Sequence, residues 1–274
     1  MSTVPPRAVP TQPPAAAPPV LTAEPIVELR DICKRFGRLV VLDDVSLKVE
    51  KGKCLIVIGA SGSGKSVLLK HIVGLLKPDR GEVWFSGQRI DNMAARKFQA
   101  VRGNFGFLFQ SGALFDSMTV SQNVAFPLVE HTRKSPGEID DIVRHKLAMV
   151  GLPDIGAKWP AELSGGQRKR VALARAIALD PEVILYDEPT TGLDPIRSDI
   201  INELIIKLQQ ELHVTSIVVT HDMASAFKIA DRIVMLYESK LVFDGTPRQV
   251  QETGNDIVHR FVIGRATPEE LASL

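Results

Sequence analysis

The chain has 274 residues, a formal net charge of +1, 24% charged and 45% hydrophobic side chains. A near-neutral balance excludes a dedicated nucleic-acid binder, which carries a basic surplus on one face, and no apolar run is long enough to read as a membrane span. Two cysteines, Cys33 and Cys54, have neither the number nor the spacing of a disulfide framework or metal site, which points to a reducing compartment.

Residues 1–24 are rich in Pro and Ala, with Arg7 and Glu24 as the only ionisable side chains. The prolines break the apolar core that a signal peptide needs, and the composition predicts a disordered tail. From Pro25 onward strands and helices alternate. Ile26–Leu29 and Val45–Val49 read as short strands, and Cys54–Ile58 as a continuous apolar strand covered on both faces. Ser66–Leu75 has helical spacing; Glu82–Phe85 and Phe105–Phe109 read as further strands. Between Ser111 and Lys158 the pattern turns mostly helical. Alternation resumes with Val171–Leu179, Val183–Tyr186, Asn202–Leu212 and Ser216–Val219, and Ile233–Leu236 with Leu241–Phe243 predicts a hairpin. The expected organisation is an α/β domain over residues 25–246 with a helical insertion at about 111–170, followed by an extension over 247–274 that packs on the surface.

Chemistry concentrates in three places. Gly59, Ala60, Ser61, Gly62, Ser63, Gly64, Lys65 and Ser66, with Val67 following, fit G-x-x-x-x-G-K-[ST] between a strand and a helix. Glycines let successive backbone N–H groups converge on phosphate oxygens, and the helix that follows points its positive end at the same anion. Lys65 can reach the β- and γ-phosphates, and Ser66 can place its hydroxyl on Mg²⁺. Val183–Pro189 is an apolar strand ending in two acids. Behind a phosphate loop, Asp187 can face the Mg²⁺ and Glu188 can polarise an attacking water. Ser164, Gly165, Gly166 and Gln167 open a second helix N-terminus to an anion. One nucleotide does not need two such cradles from one chain, so the second cradle serves a nucleotide held by another copy.

In these residues the chain resembles the ATP-binding-cassette ATPases from Ile26 to about Gly245. GASGSGKS looks like Walker A, VILYDEP like Walker B and LSGGQ like the family signature. The resemblance implies an α/β P-loop NTPase (RecA-like) core with an antiparallel β subdomain and a helical subdomain. It assigns Gln110 to the Q-loop, touching Mg²⁺ or the attacking water and sensing a transmembrane partner. Asp194 falls in the D-loop, crossing a dimer interface, and His221 is the switch histidine at the γ-phosphate. Phe36 takes the place of the aromatic that stacks on adenine, where many members have Tyr. His71, His131, His145, His213 and His259 match no motif and read as structural or solvated. ATP and Mg²⁺ are the implied cofactors, and a second copy of the chain and a separate permease the implied partners, with no nucleic acid.

The stretch FLFQSGALFDSMTVSQNVAFPL, Phe107–Leu128, is similar to the ATPases of bacterial lipid-trafficking (Mce/Mla-type) transporters. Leu114, Phe115, Met118 and Val120 would form an apolar docking surface beside Gln110. Gln167 follows the general family, where this subgroup often carries Met. The implication is a phospholipid or related substrate, an Mce-type lipid-binding subunit, a small cytoplasmic accessory subunit, and a place on the cytoplasmic face of a bacterial inner membrane. A transporter of amino acids or metal chelates, a soluble ATP-driven switch and a non-hydrolysing regulatory module remain as alternatives. The single cassette without sustained heptads disfavours the switch, and Glu188 with His221 disfavours the regulatory module.

Overall fold

In a computed structural model, residues 24–265 are described. Apart from Glu24, the expected tail over 1–24 lies outside them, as do residues 266–274. Two sheets share the work. The first is antiparallel, ordered β2-β1-β4-β5, with β1 (Pro25–Phe36), β2 (Leu39–Glu50), β4 (Arg80–Phe85) and β5 (Gln88–Arg89). β1 and β2 are far longer than the two short strands expected. The register shifts between Leu29 and Ile32, and Asp31 and Asp44 take positive φ values of 50° and 56°. These bulges interrupt the period-two pattern in the sequence while the pairing carries on past them.

The second sheet runs β10-β9-β3-β8-β7-β6. Its strands are β3 (Cys54–Ile58), β6 (Phe105–Leu108), β7 (Val183–Asp187), β8 (Thr215–Val219), β9 (Arg232–Tyr237) and β10 (Lys240–Gly245). All but the edge strand β10 run parallel. Every residue of β3, β7 and β8 is buried, as uninterrupted apolar runs require when helices cover both faces. The expected hairpin is β9–β10, turned by Glu238 and Ser239 at positive φ, 43° and 68°, the twist that suits a two-residue loop.

The helices are α1 (Lys65–Ile72), α2 (Ala95–Arg102), α3 (Val120–His131), α4 (Pro136–Met149), α5 (Gly165–Ala176), α6 (Pro195–Leu212), α7 (Met223–Ile229), α8 (Pro247–Glu252) and α9 (Asp256–Ile263). α2 carries a single buried residue, Phe98, too little for periodicity to reveal. α6 starts seven residues before the expected Asn202, because Ile196 and Ile200 in its first turns are exposed rather than core-facing. α3, α4 and α5 pack on one another as the helical layer, and α5 runs unbroken past position 170 to reach the sheet beside Gly106. The extension is not only a surface addition: Val250 of α8 and Val258 of α9 are buried in the main core.

Residues 111–119 form no helix, contrary to the pattern. They are shaped instead by Asn123, 0% exposed. Its amide donates to the carbonyls of Phe115 and Met118 at 3.1 Å each and of Thr119 at 3.0 Å, and its oxygen accepts from Phe115 N–H at 2.8 Å. Asn123→Ala removes these bonds, with Thr119 O keeping the Asn123 N–H at 2.9 Å and Phe115 O the Met118 N–H at 3.1 Å, and is expected to cost about 2–3 kcal/mol. Urea unfolding measures the loss, and faster amide exchange confined to residues 111–119 locates it. Of the apolar surface expected beside Gln110, Phe115 is exposed, Leu114 and Met118 are half-buried, and Val120 belongs to the core.

Candidate functional site

The site forms at the carboxyl ends of β3, β7 and β8, where an open parallel sheet leaves a crevice. β3 ends at Ile58, and the chain turns through Gly59–Gly64 into α1. A Cβ on Gly59 would lie 2.3 Å from Leu236 O, and one on Gly64 would lie 2.7 Å from Val41 O. Only glycine therefore lets the loop pass so close to its neighbours. Gly64, φ 101°, precedes α1 with no side-chain cap, so the first N–H groups of the helix have no partner of their own. Lys65 bends back over the loop and donates to Gly59 O at 2.8 Å and Ala60 O at 2.9 Å. Burial pushes its ammonium below the ordinary lysine range, against the pull of Glu188 and Asp187. Ser63 Oγ is buried without a partner.

The two acids at the end of β7 divide in environment. Asp187 accepts from Ser66 Oγ at 2.8 Å; burial raises its pKa, Ser66 opposes the rise, and Glu188 adds to it. Glu188 sits at φ 50°, a left-handed backbone that costs a non-glycine residue roughly 1–2 kcal/mol. Its carboxylate lies 2.9 Å from His221 Nδ1, receives Thr191 Oγ1 at 3.1 Å, and stands 4.0 Å from Lys65 Nζ. Thr191 carried no motif and was not legible in the sequence as a partner of this acid.

These groups line a cleft of about 730 Å³. Ala60, Ser61, Gly62, Gly64, Lys65, Ser66 and Val67 form one wall, with Gln110, Glu188 and His221 facing it and Phe36 at the rim, 48% exposed. Gly59, Ser63 and Asp187 are not among the residues that line the cleft. Two further lining residues, Val41 from β2 and Phe261 from α9, carry no signal in the sequence. Their apolar character is ordinary, and only long-range packing brings them here.

The remaining candidates lie apart from this cleft. Ser164 caps α5, accepting from Gln167 N–H at 3.3 Å, while Gln167 Oε1 accepts from Ser164 N–H at 3.0 Å. Gly165 and Gly166 lie against Leu193 and Arg197. Asp194 caps α6, accepting from Arg197 N–H at 2.9 Å. None of Ser164–Gln167 or Asp194 is among the residues that line the chain's own cleft.

The uncapped helix start and the paired hydroxyl and carboxylate suit a nucleotide's phosphates with Mg²⁺. Ser66 and Asp187 are oxygen donors of the kind a hard cation takes, and a cation there would offset the cost of burying Asp187. Bound Mg²⁺ supplies charge neutralisation for the phosphates. The arrangement is that of a P-loop nucleoside triphosphatase.

Beside Gln110 a second groove of about 440 Å³ opens between the sheet and the helical layer. Aromatic rings line it, with Phe107 and Phe109 at 4.2 Å between centroids and Phe115 and Phe126 at 4.9 Å. Among the described residues no helix is long and apolar enough to cross a membrane.

Residues 42–191 match the ABC transporter family. The chain is 44% identical over 240 residues to the probable ribonucleotide transport ATP-binding protein mkl of Mycobacterium tuberculosis, covering 87% of this chain and 67% of that protein. It is 43% identical over 241 residues to the intermembrane phospholipid transport system ATP-binding protein MlaF of Haemophilus influenzae, covering 88% and 91%. Among solved structures, a dimeric ATP-binding cassette in a post-hydrolysis state, bound to ADP and Pi, superposes with a TM-score of 0.75 at 33% identity, covering 81% of this chain and 99% of that one. The chain belongs to the ABC transporter family. It is the ATP-hydrolysing, nucleotide-binding type of subunit, working with ATP and Mg²⁺.

Proposed function

We propose that two copies of this chain enclose two ATP molecules and drive a separate permease that moves phospholipid or a related hydrophobic molecule. The convergence of Lys65, Ser66, Asp187, Glu188, Gln110 and His221 on one cleft carries the catalytic part of this reading. Lys65 and the N–H groups of the phosphate loop bind and orient the triphosphate. Ser66, Asp187 and Gln110 hold the cation, Phe36 stacks on the base, and Glu188 takes the proton of the attacking water, with His221 and Thr191 fixing its carboxylate. Ser164–Gln167 and Asp194, unused in the cleft of their own chain, serve the partner copy. Closure around the nucleotide and reopening after hydrolysis pass through Gln110 to the aromatic groove, where the permease docks.

The lipid part rests on the likeness to the MlaF protein across most of both chains. It extends to an Mce-type lipid-binding subunit, a small cytoplasmic accessory subunit and a place on the cytoplasmic face of the bacterial inner membrane. The likeness to the mkl protein, a probable ribonucleotide transport ATP-binding protein, favours a second reading, with a ribonucleotide as substrate. Gentle extraction of the tagged chain from its native membrane, with mass spectrometry of what accompanies it, separates the two. A permease with an Mce-type subunit and bound phospholipid is the expected result. A permease with a polar-solute binding protein overturns the lipid reading and leaves the ATPase mechanism standing.

A further inference from the structure

Lys169 lies within α5, five residues after the Ser164 cap, and is 6% exposed. Its ammonium leaves the helix towards the turn that follows β7. There it donates to three backbone carbonyls: Glu188 O at 3.1 Å, Pro189 O at 2.6 Å and Thr191 O at 2.9 Å. Burial pulls its pKa down to about 8; a buried cation with three hydrogen-bond acceptors has its donors satisfied, where an unpaired one would be expelled or neutralised.

The three carbonyls belong to the segment that sets the catalytic acid. Glu188 holds its left-handed backbone, φ 50°, a conformation uncommon for a non-glycine residue and kept only where neighbours over-determine it. Thr191, the third acceptor, is also the residue whose hydroxyl donates to Glu188 Oε2 at 3.1 Å. One ammonium thus fixes both the backbone of Glu188 and the base of a side chain that orients its carboxylate. The same helix carries Ser164–Gln167 at its start.

We propose that Lys169 is a positioning residue for hydrolysis: from the helix that begins at Ser164 it holds the Glu188–Thr191 turn and so aims the Glu188 carboxylate. Docking of α5 and alignment of the base are then one event, and a cradle that engages the partner's nucleotide reports directly to the catalytic acid of its own chain. This rests on the reading of Glu188 as the base.

The test uses the purified full chain and compares Lys169→Met, Glu188→Gln and the double variant. Lys169→Met is expected to lower kcat by about 10²-fold, the loss that a misplacement of about 1 Å brings, with KM and the affinity for a fluorescent ATP analogue unchanged. Added to Glu188→Gln, it is expected to bring no further loss, because residues acting through one group are not additive. Wild-type kcat in Lys169→Met overturns the proposal while leaving the base reading intact. So does a raised KM at unchanged kcat, or a loss that adds in full to that of Glu188→Gln. Near-wild-type turnover in Glu188→Gln itself removes the base reading and the proposal with it. Should Lys169→Met fail to fold, Lys169→Gln keeps two N–H donors and is expected to retain affinity while kcat falls by a smaller factor; unchanged kcat there overturns the proposal equally.

Discussion

Replacing Glu188 by Gln is expected to slow steady-state ATP turnover by about 10²–10⁴-fold, the usual worth of a positioned general base, while nucleotide binding survives. The amide is nearly the same size, so Thr191 and His221 keep an acceptor at one oxygen. What disappears is the carboxylate's capacity to take a proton. Lys65 and Ser66, which line the same cleft and would hold the phosphates, are unchanged; Lys65 loses only a charge 4.0 Å away. The variant is therefore expected to bind a fluorescent ATP analogue as the wild type does and to accumulate as an ATP-bound dimer in size-exclusion chromatography. Turnover close to wild type would take the base role away from Glu188.

Ser164→Arg is expected to abolish hydrolysis without abolishing nucleotide binding by the separate chains. Two effects combine. Losing the serine cap weakens the start of α5 by about 1 kcal/mol, and the guanidinium fills the cradle meant for the partner's phosphates. Neither touches the chain's own cleft, since Ser164 lies outside it. Ser164→Ala, which loses the cap alone, separates the two effects and is expected to keep most activity. A mixing experiment decides whether the cradle works across the dimer. Ser164→Arg and Lys65→Ala are each expected to be inactive alone. Mixed, they are expected to recover part of the turnover, because a heterodimer holds one composite site with an intact phosphate loop and an intact cradle. Failure of the mixture to recover, or loss of nucleotide binding in Ser164→Arg, would place the cradle in its own chain's fold or site.

Much of the candidate site was legible in the chain because it is local. Phosphate binding needs consecutive N–H groups, a helix start and a lysine in fixed order, and Gly59–Ser66 holds them contiguously. The buried strands were equally plain, because a strand covered on both faces must be apolar throughout, as Cys54–Ile58 is. Strand length in the antiparallel sheet was not legible: at Asp31 and Asp44 the backbone turns to positive φ, the alternation slips, and only the partner strand shows that pairing continues. Residues 111–119 misled for a related reason. Their apolar side chains suggested helix, whereas the conformation is set by Asn123 and its four hydrogen bonds, a constraint that spacing does not encode.

By itself, then, the sequence determined the buried strands of the parallel sheet, the phosphate loop, the acid pair Asp187-Glu188 and the family resemblance, since each depends on neighbours along the chain. Tertiary structure alone decided that His221 and Thr191 meet the Glu188 carboxylate, that Val41 and Phe261 line the cleft, and that Lys169 bonds three carbonyls of the Glu188–Thr191 turn. It also decided that Val250 and Val258 of the extension join the core. Apart from Thr191, which is three residues from Glu188, those contacts join residues far apart along the chain, and a lysine in a helix reads as solvated until the fold buries it against three carbonyls.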